Sequence, residues 1–266
     1  MKTRSLVRWF SKFIAVAALL LAGTAQAADI HAMISAGFYE AYSELRPAFE
    51  KSTGHRLITT RGPSLGNSPE AIPNRLKRNE PTDVVIMVGA SIDDLTRQGS
   101  VRAGTKVDLA RSEIGMVVKA GAAKPDISTV DALRRTLLDA KSIAYSDSAS
   151  GIYLSTTLFT RLGVKEQVSP KSRMIKGPPS GENVADVVGR GEAEIGFQQV
   201  SELIHVKGIT FVGRIPAQLQ QDTFFSAALA NSVRNQEAAE ALIRYLSSPE
   251  AAPTISKAGL TPTSRQ

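Results

Sequence analysis

From residue 28 onward, short apolar runs alternate with stretches in which apolar residues return every three or four positions. Asp29 to Ser35 reads as a strand. Phe38 to Ser52 sets Tyr42, Leu45 and Phe49 on one helical face, with Gly54 as a natural stop. Arg56 to Thr60 is short and β-branched, Asp83 to Val88 (DVVIMV) is a continuous apolar strand, and Ser91 to Gln98 is a helix ended by Gly99. The pattern resumes with helices over Thr129 to Ala140, Gly151 to Leu162 and Glu182 to Gly189. Strands are predicted over Ser142 to Ser146, Arg173 to Lys176, Glu194 to Gln198 and Ile209 to Val212. Strands apolar on both faces imply a parallel sheet covered by helices, so the fold class is α/β, in two units.

Two extended segments break the alternation, Ile114 to Lys119 and Thr223 to Ala230, and helices over Glu237 to Leu246 and Pro249 to Ala258 end the chain. If the chain crosses between units near Ser112 and Thr223, residues 28–111 and 224–266 form one lobe and 112–223 the other. Two α/β lobes joined by two crossovers form a hinge, which closes on a ligand at the carboxyl ends of the strands.

Residues 1–27 lie outside this pattern. Lys2, Arg4, Arg8 and Lys12 precede an apolar run from Phe13 to Ala22, then Ala25-Gln26-Ala27. This is the composition of a cleavable signal peptide, so the expected location is the periplasm. Without the leader the chain keeps 28 basic against 25 acidic residues, a net +3. That balance, with no basic run or aromatic ladder, argues against nucleic acid as a partner. There is no cysteine, so stability rests on cores rather than disulfides.

The chemistry concentrates in four Ser/Gly-rich turns at strand-to-helix junctions. These are Ser35-Ala36-Gly37, the run from Gly62 through Ser64 to Ser68, the run from Ser146 through Ser150 to Gly151, and Pro178-Pro179-Ser180-Gly181. Free N–H groups at helix starts, joined by small hydroxyls, bind an anion without a fixed countercharge; the same residues also serve simply as caps and turns. Arg61 could make a bidentate contact with a carboxylate, or remain a solvated strand-end charge. Gln198 and Gln199 end a strand, and Tyr39 and Tyr153 stand near helix starts, each with a cleft or a core role open. Gly62-Pro63-Ser64-Leu65-Gly66 also matches the serine-hydrolase elbow, with His205 as the available base. The elbow helix should begin at the serine, however, and Asn67, Ser68, Pro69 and Pro73 delay it. His31, His55 and His205 are isolated, so neither a metal nor another cofactor is expected.

These residues together resemble the periplasmic solute-binding proteins of bacterial ABC transporters, type II, and specifically the molybdate-binding group. The resemblance rests on Ile34-Ser35-Ala36-Gly37 through Thr53-Gly54, Pro81-Thr82-Asp83-Val84-Val85-Ile86, Ser150-Gly151-Ile152-Tyr153, Gly191 through Gly196, and Tyr245 through Ala252. It implies a monomeric two-lobed binder without catalysis that delivers its ligand to a membrane permease. Carried over by position, the family's first anion-binding serine falls at Gly37, its second serine turn at Ser64 to Ser68, its backbone donors at Ser150 and Gly181, and a site tyrosine at Gln199. The loss of a hydroxyl at Gly37 and the amide at Gln199 imply a roomier, amide-richer site, with Arg61 added. The ligand expected is a small anion, either a molybdate-like oxyanion or a small organic carboxylate.

Overall fold

The computed structural model describes residues 27–221 and 223–264; the expected leader lies, but for Ala27, outside the described residues. In chain order come β1 (Asp29–Ile34), α1 (Ala36–Thr53), β2 (Arg56–Arg61), α2 (Ile72–Lys77), β3 (Val84–Val88), α3 (Gly89–Arg97) and β4 (Val107–Ser112). The chain then builds a second sheet through β5 (Ile114–Lys119), α4 (Val130–Asp139), β6 (Ile143–Ser146), α5 (Ala149–Tyr153), β7 (Ser172–Ile175), α6 (Val184–Gly189), β8 (Ile195–Gln199) and β9 (Ile209–Arg214). It ends with β10 (Thr223–Leu229), α7 (Gln236–Leu246), α8 (Ala252–Lys257) and β11 (Thr261–Pro262) back at the first sheet.

The first sheet has the order β11-β4-β10-β3-β1-β2 and the second β7-β6-β8-β5-β9. In each, a parallel set (β1, β2, β3; β6, β7, β8) carries the βαβ units, and antiparallel strands complete the sheet. Each sheet is covered on both faces. In the first, Ile34, Val84 and Ile86 pack under Phe38, Tyr42 and Phe49 of α1, while Met33, Val85 and Met87 face Ile92 and Leu95 of α3. This two-sided burial is why DVVIMV reads as an unbroken apolar run.

Two helices depart from expectation in a consequential way. α1 starts at Ala36 rather than Phe38, and α5 at Ala149 rather than Gly151, so Ser35 and Ser148 become their N-caps. α5 also continues into a π-helical segment, Leu154–Leu158, rather than a uniform α-helix. β4, with Asp108 and Arg111 interrupting its apolar residues, and the short Pro-started α2 escape the periodicity entirely.

The two crossings run side by side. Ser112 and Thr223, the last and first residues of first-sheet strands, pair with each other, so the crossings lie just beyond them. Gln220 ties the return crossing to the outgoing one. Its Oε1 accepts from the Ile114 N–H at 2.8 Å, and its Nε2 donates to the Ile114 carbonyl at 2.9 Å and the Ile215 carbonyl at 3.1 Å. Asp83, in the quoted Pro-Thr-Asp motif, is structural. Its buried carboxylate accepts from the backbone N–H groups of His31 at 2.7 Å and Arg234 at 2.9 Å, binding β1 to the segment after β10.

Candidate functional site

The carboxyl ends of both parallel sets face one cleft, lined from both sheets. The first sheet contributes the turn Ser35 to Gly37 after β1, Arg61 to Ser64 after β2, Val88 at the end of β3, and Phe225 of β10. Facing them are Ser146 to Ala149 after β6, Gly177 and Pro178 after β7, and Gln198, Gln199 and Glu202 at and beyond the end of β8.

The polar atoms of this cleft are unequally satisfied. Ser35 is buried, and an N-cap serine ordinarily accepts a bond from its own helix. Here it makes no such bond, and its Oγ has no partner among the described residues. Gln199 is buried too. Its Oε1 accepts from Ser112 Oγ at 2.6 Å, which fixes the amide and leaves Nε2 without a partner. Native proteins rarely leave buried polar groups orphaned, so two in one cleft point to acceptor atoms of a ligand. Arg61 makes no ion pair with any described residue; its guanidinium lies 4.0 Å from the centroid of the Tyr39 ring, a cation–π contact that holds it at the cleft edge.

Glu202 is the acidic group on this wall beside Asp147. Its Oε2 accepts from Gln198 Nε2 at 2.6 Å, and Gln198 Oε1 in turn accepts from the Val184 N–H at 3.3 Å. Burial pushes the Glu202 carboxyl up to about 7, against the opposing pull of the Gln198 bond and of Arg61, with Asp147 adding to the rise. Asp147 itself accepts from the Gly177 N–H at 3.1 Å, bracing one turn against the next. Ser146, Ser148 and Ser150 form a hydroxyl cluster, Ser146 Oγ lying 2.9 Å from Ser148 Oγ and 3.1 Å from Ser150 Oγ. Ser201 Oγ donates to the Gly37 carbonyl at 2.7 Å, joining the two lobes across the back of the cleft.

A family model for bacterial extracellular solute-binding proteins matches residues 30–261. The chain belongs to that family. A protein of Pseudomonas sp. named aconitate isomerase is 47% identical over 258 residues, covering 95% of this chain and 97% of the relative. The molybdate-binding protein ModA of Azotobacter vinelandii is 26% identical over 250 residues, 92% of this chain and 95% of that one. Among solved structures, the periplasmic molybdate-binding protein of Azotobacter vinelandii superposes with a TM-score of 0.69 at 20% identity, covering 87% of this chain and 98% of that one. The substrate-binding domain of a molybdenum ABC transporter from Clostridium difficile gives 0.66 at 17%, covering 88% and 99%. The type II two-lobed fold and the molybdate-binding-like resemblance thus hold, and membership in this extracellular family implies export.

Of the residues singled out in the sequence of this solute-binding protein, Gly37, Arg61, Ser64 and Gln199 line the cleft. Ser68, Ser150 and Gly181 do not. Ser68 accepts from the Glu70 N–H at 3.2 Å in the turn before α2. Ser150 is fully buried behind Ser148 and Ala149, because α5 starts two residues earlier than the periodicity suggests. Gly181 is exposed, and Gly177 and Pro178 take its place.

The expected roominess at Gly37 is also corrected. A Cβ there would lie 2.1 Å from Cζ of Phe225, so that ring fills the space of a serine side chain, and the unbonded hydroxyl comes from Ser35 instead. The hydrolase pairing does not form. Ser64 Oγ accepts from the Val88 N–H at 3.1 Å, whereas His205 Nε2 contacts the Lys257 carbonyl at 3.1 Å and lines a different pocket. α2 begins at Ile72, well past the serine. Sequence reasoning placed Ser35 in a candidate anion-binding turn but assigned the site position to Gly37, and it missed Glu202. Helix phase alone could have found the first; the second carries no local motif.

Proposed function

We propose that this chain captures an unsaturated tricarboxylic acid in its cleft and interconverts the isomers, the activity for which its Pseudomonas relative is named. The observation that carries this reading is the donor set left open: an Arg61 guanidinium that forms no ion pair with any described residue, and orphaned donors Ser35 Oγ and Gln199 Nε2 from opposite lobes. A planar molecule bearing several carboxylates offers only acceptors, and burying them is favourable where donors meet them from both sides. A guanidinium matches a carboxylate bidentately, and a planar polycarboxylate presents that group several times. The Glu202 carboxyl suits a site where protons move. On this reading the chain is an isomerase on a binding-protein scaffold, whereas the sequence alone led to a non-catalytic binder.

The test is to incubate the purified chain with cis-aconitate and follow the trans isomer by proton NMR, with calorimetry of aconitate and molybdate alongside. Conversion with measurable aconitate binding is the expected result. The second reading, capture of a small anion for a membrane permease, is favoured by the family and its hinged lobes. Binding of aconitate without conversion selects it, and tight molybdate binding alone overturns the carboxylate assignment.

A further inference from the structure

We infer that Glu202 is the proton carrier of this cleft, taking a proton from one carbon of the bound acid and returning it to another. The inference rests on the isomerase reading and adds to it the group that performs the chemistry. Interconversion of such isomers without redox change proceeds by moving a double bond across three carbons. The C–H bond of the methylene breaks, its proton passes to a base, and the electron pair spreads over the allylic carbons and the carboxylates. A new C–H bond then forms at the former vinylic carbon as the base gives the proton back. Atoms and charge balance with no co-reactant, so one carboxylate suffices.

Glu202 meets the geometric conditions for that carboxylate. It lines the cleft on the wall opposite Ser35, and Gln198 Nε2 holds one of its oxygens at 2.6 Å, leaving the other unclaimed by any hydrogen bond among the described residues. It also lines a second pocket, with Tyr39, Arg61, Asn183, Ser201 and His205, so it stands between the cleft and a polar recess on its far side. The charged and titratable groups around it are Arg61 at the end of β2, Tyr39 and Glu40 of α1, Asp147 after β6, and His205 one turn on. Asp147, the other cleft carboxyl, braces the Gly177 turn, and Ser64 is bonded to the Val88 N–H; of the two carboxyls Glu202 is the one that also faces the polar recess. A carboxyl poised near neutrality is matched to this work.

The experiment compares wild type, Glu202→Gln, Glu202→Asp and His205→Ala in conversion of cis-aconitate, with binding measured by calorimetry and kcat/KM measured from pH 5 to 9. Glu202→Gln should still bind aconitate yet convert it at least about 100-fold more slowly, with Glu202→Asp in between. In the wild type, kcat/KM should rise through about pH 7 as Glu202 ionises, and the break should persist in His205→Ala. If Glu202→Gln does not bind, the pH break decides alone. A smaller loss in Glu202→Gln, a flat profile, or a break that vanishes with His205→Ala overturns the assignment while leaving the isomerase reading intact. A wild type that converts nothing overturns both.

Discussion

Ser35 and Ser148 occupy the same place in the two lobes, each the N-cap of the helix that follows a parallel strand, and neither caps its helix. On the first-sheet wall the freed hydroxyl finds no partner among the described residues, and Arg61 nearby forms no ion pair with any of them. On the second-sheet wall Ser148 joins Ser146 and Ser150 in a closed hydroxyl cluster, and Gln198 joins Glu202. The second-sheet wall is self-satisfied but for Gln199 Nε2, whereas the first presents Ser35 Oγ and the Arg61 guanidinium to a ligand. Substitutions on the open wall should therefore act on binding, and those on the closed wall on stability and chemistry.

The largest expected effect tests the open wall. Arg61→Ala removes two charge-assisted hydrogen bonds to a ligand carboxylate at about 1.5–3 kcal/mol each, so calorimetry should read aconitate binding weakened by at least about 100-fold. The melting temperature without ligand should move little, because Arg61 makes no ion pair with any described residue and is held by its contact with Tyr39 and a longer-range attraction to Glu202. A large fall in melting temperature would mean that Arg61 belongs to the closed, structural kind.

Glu202 gives the converse test. Its carboxyl holds a proton up to about 7 in the folded chain against an ordinary 4.5. Between those values the folded state binds more protons than the unfolded one. Stability therefore falls as pH rises through this window and stays low above it. Glu202→Gln should abolish the slope, leaving stability unchanged near pH 4 and raising it at pH 8 by a ceiling of about 3 kcal/mol. Thermal melts at the two pH values read this directly, and equal melting temperatures for variant and wild type at pH 8 would contradict the burial argument.

The third test concerns how the open wall is shaped. Gly37→Ser drives a Cβ into the Phe225 ring, an overpacking that should cost about 1–3 kcal/mol. The double variant Gly37→Ser, Phe225→Ala should lose less than the sum of the two single changes, as neighbours sharing one space do. Additive losses in denaturant unfolding would show that the ring yields by moving elsewhere.

What the sequence conveyed follows from which interactions are local. The apolar run DVVIMV and the periodic face Tyr42, Leu45, Phe49 are buried as they read, because period and burial are properties of neighbouring residues. Gly151 shows how close approach is written in sequence, since a Cβ there would lie 1.7 Å from the Ser146 carbonyl oxygen. The cleft was legible as a set of turns and not as a set of roles. Which serine stays unbonded depends on whether helix α1 starts at Ala36 or Phe38, and on Phe225, which is distant in sequence and fills the space beside Gly37. Glu202 was silent for the same reason. It follows β8 in a short 3-10 turn, and only the packing of Arg61, Gln198 and Asp147 around it gives it its character.

The smallest effect makes the sharpest division, because the two orphaned donors differ in what else they hold. Ser35 Oγ bonds nothing, so Ser35→Ala removes a buried unsatisfied hydroxyl and should leave the unliganded protein as stable or slightly more so. Binding should weaken by about tenfold, the value of one hydrogen bond to a charged acceptor. Gln199 holds Ser112 at 2.6 Å next to the crossing between lobes. Gln199→Ala should weaken binding by a similar factor and, by stranding that buried hydroxyl, also cost about 1–3 kcal/mol of stability. Denaturant unfolding and calorimetry on the two variants separate these outcomes. If Ser35→Ala destabilises as much as Gln199→Ala, its hydroxyl is bonded after all, and the open wall is not waiting for a ligand at that point.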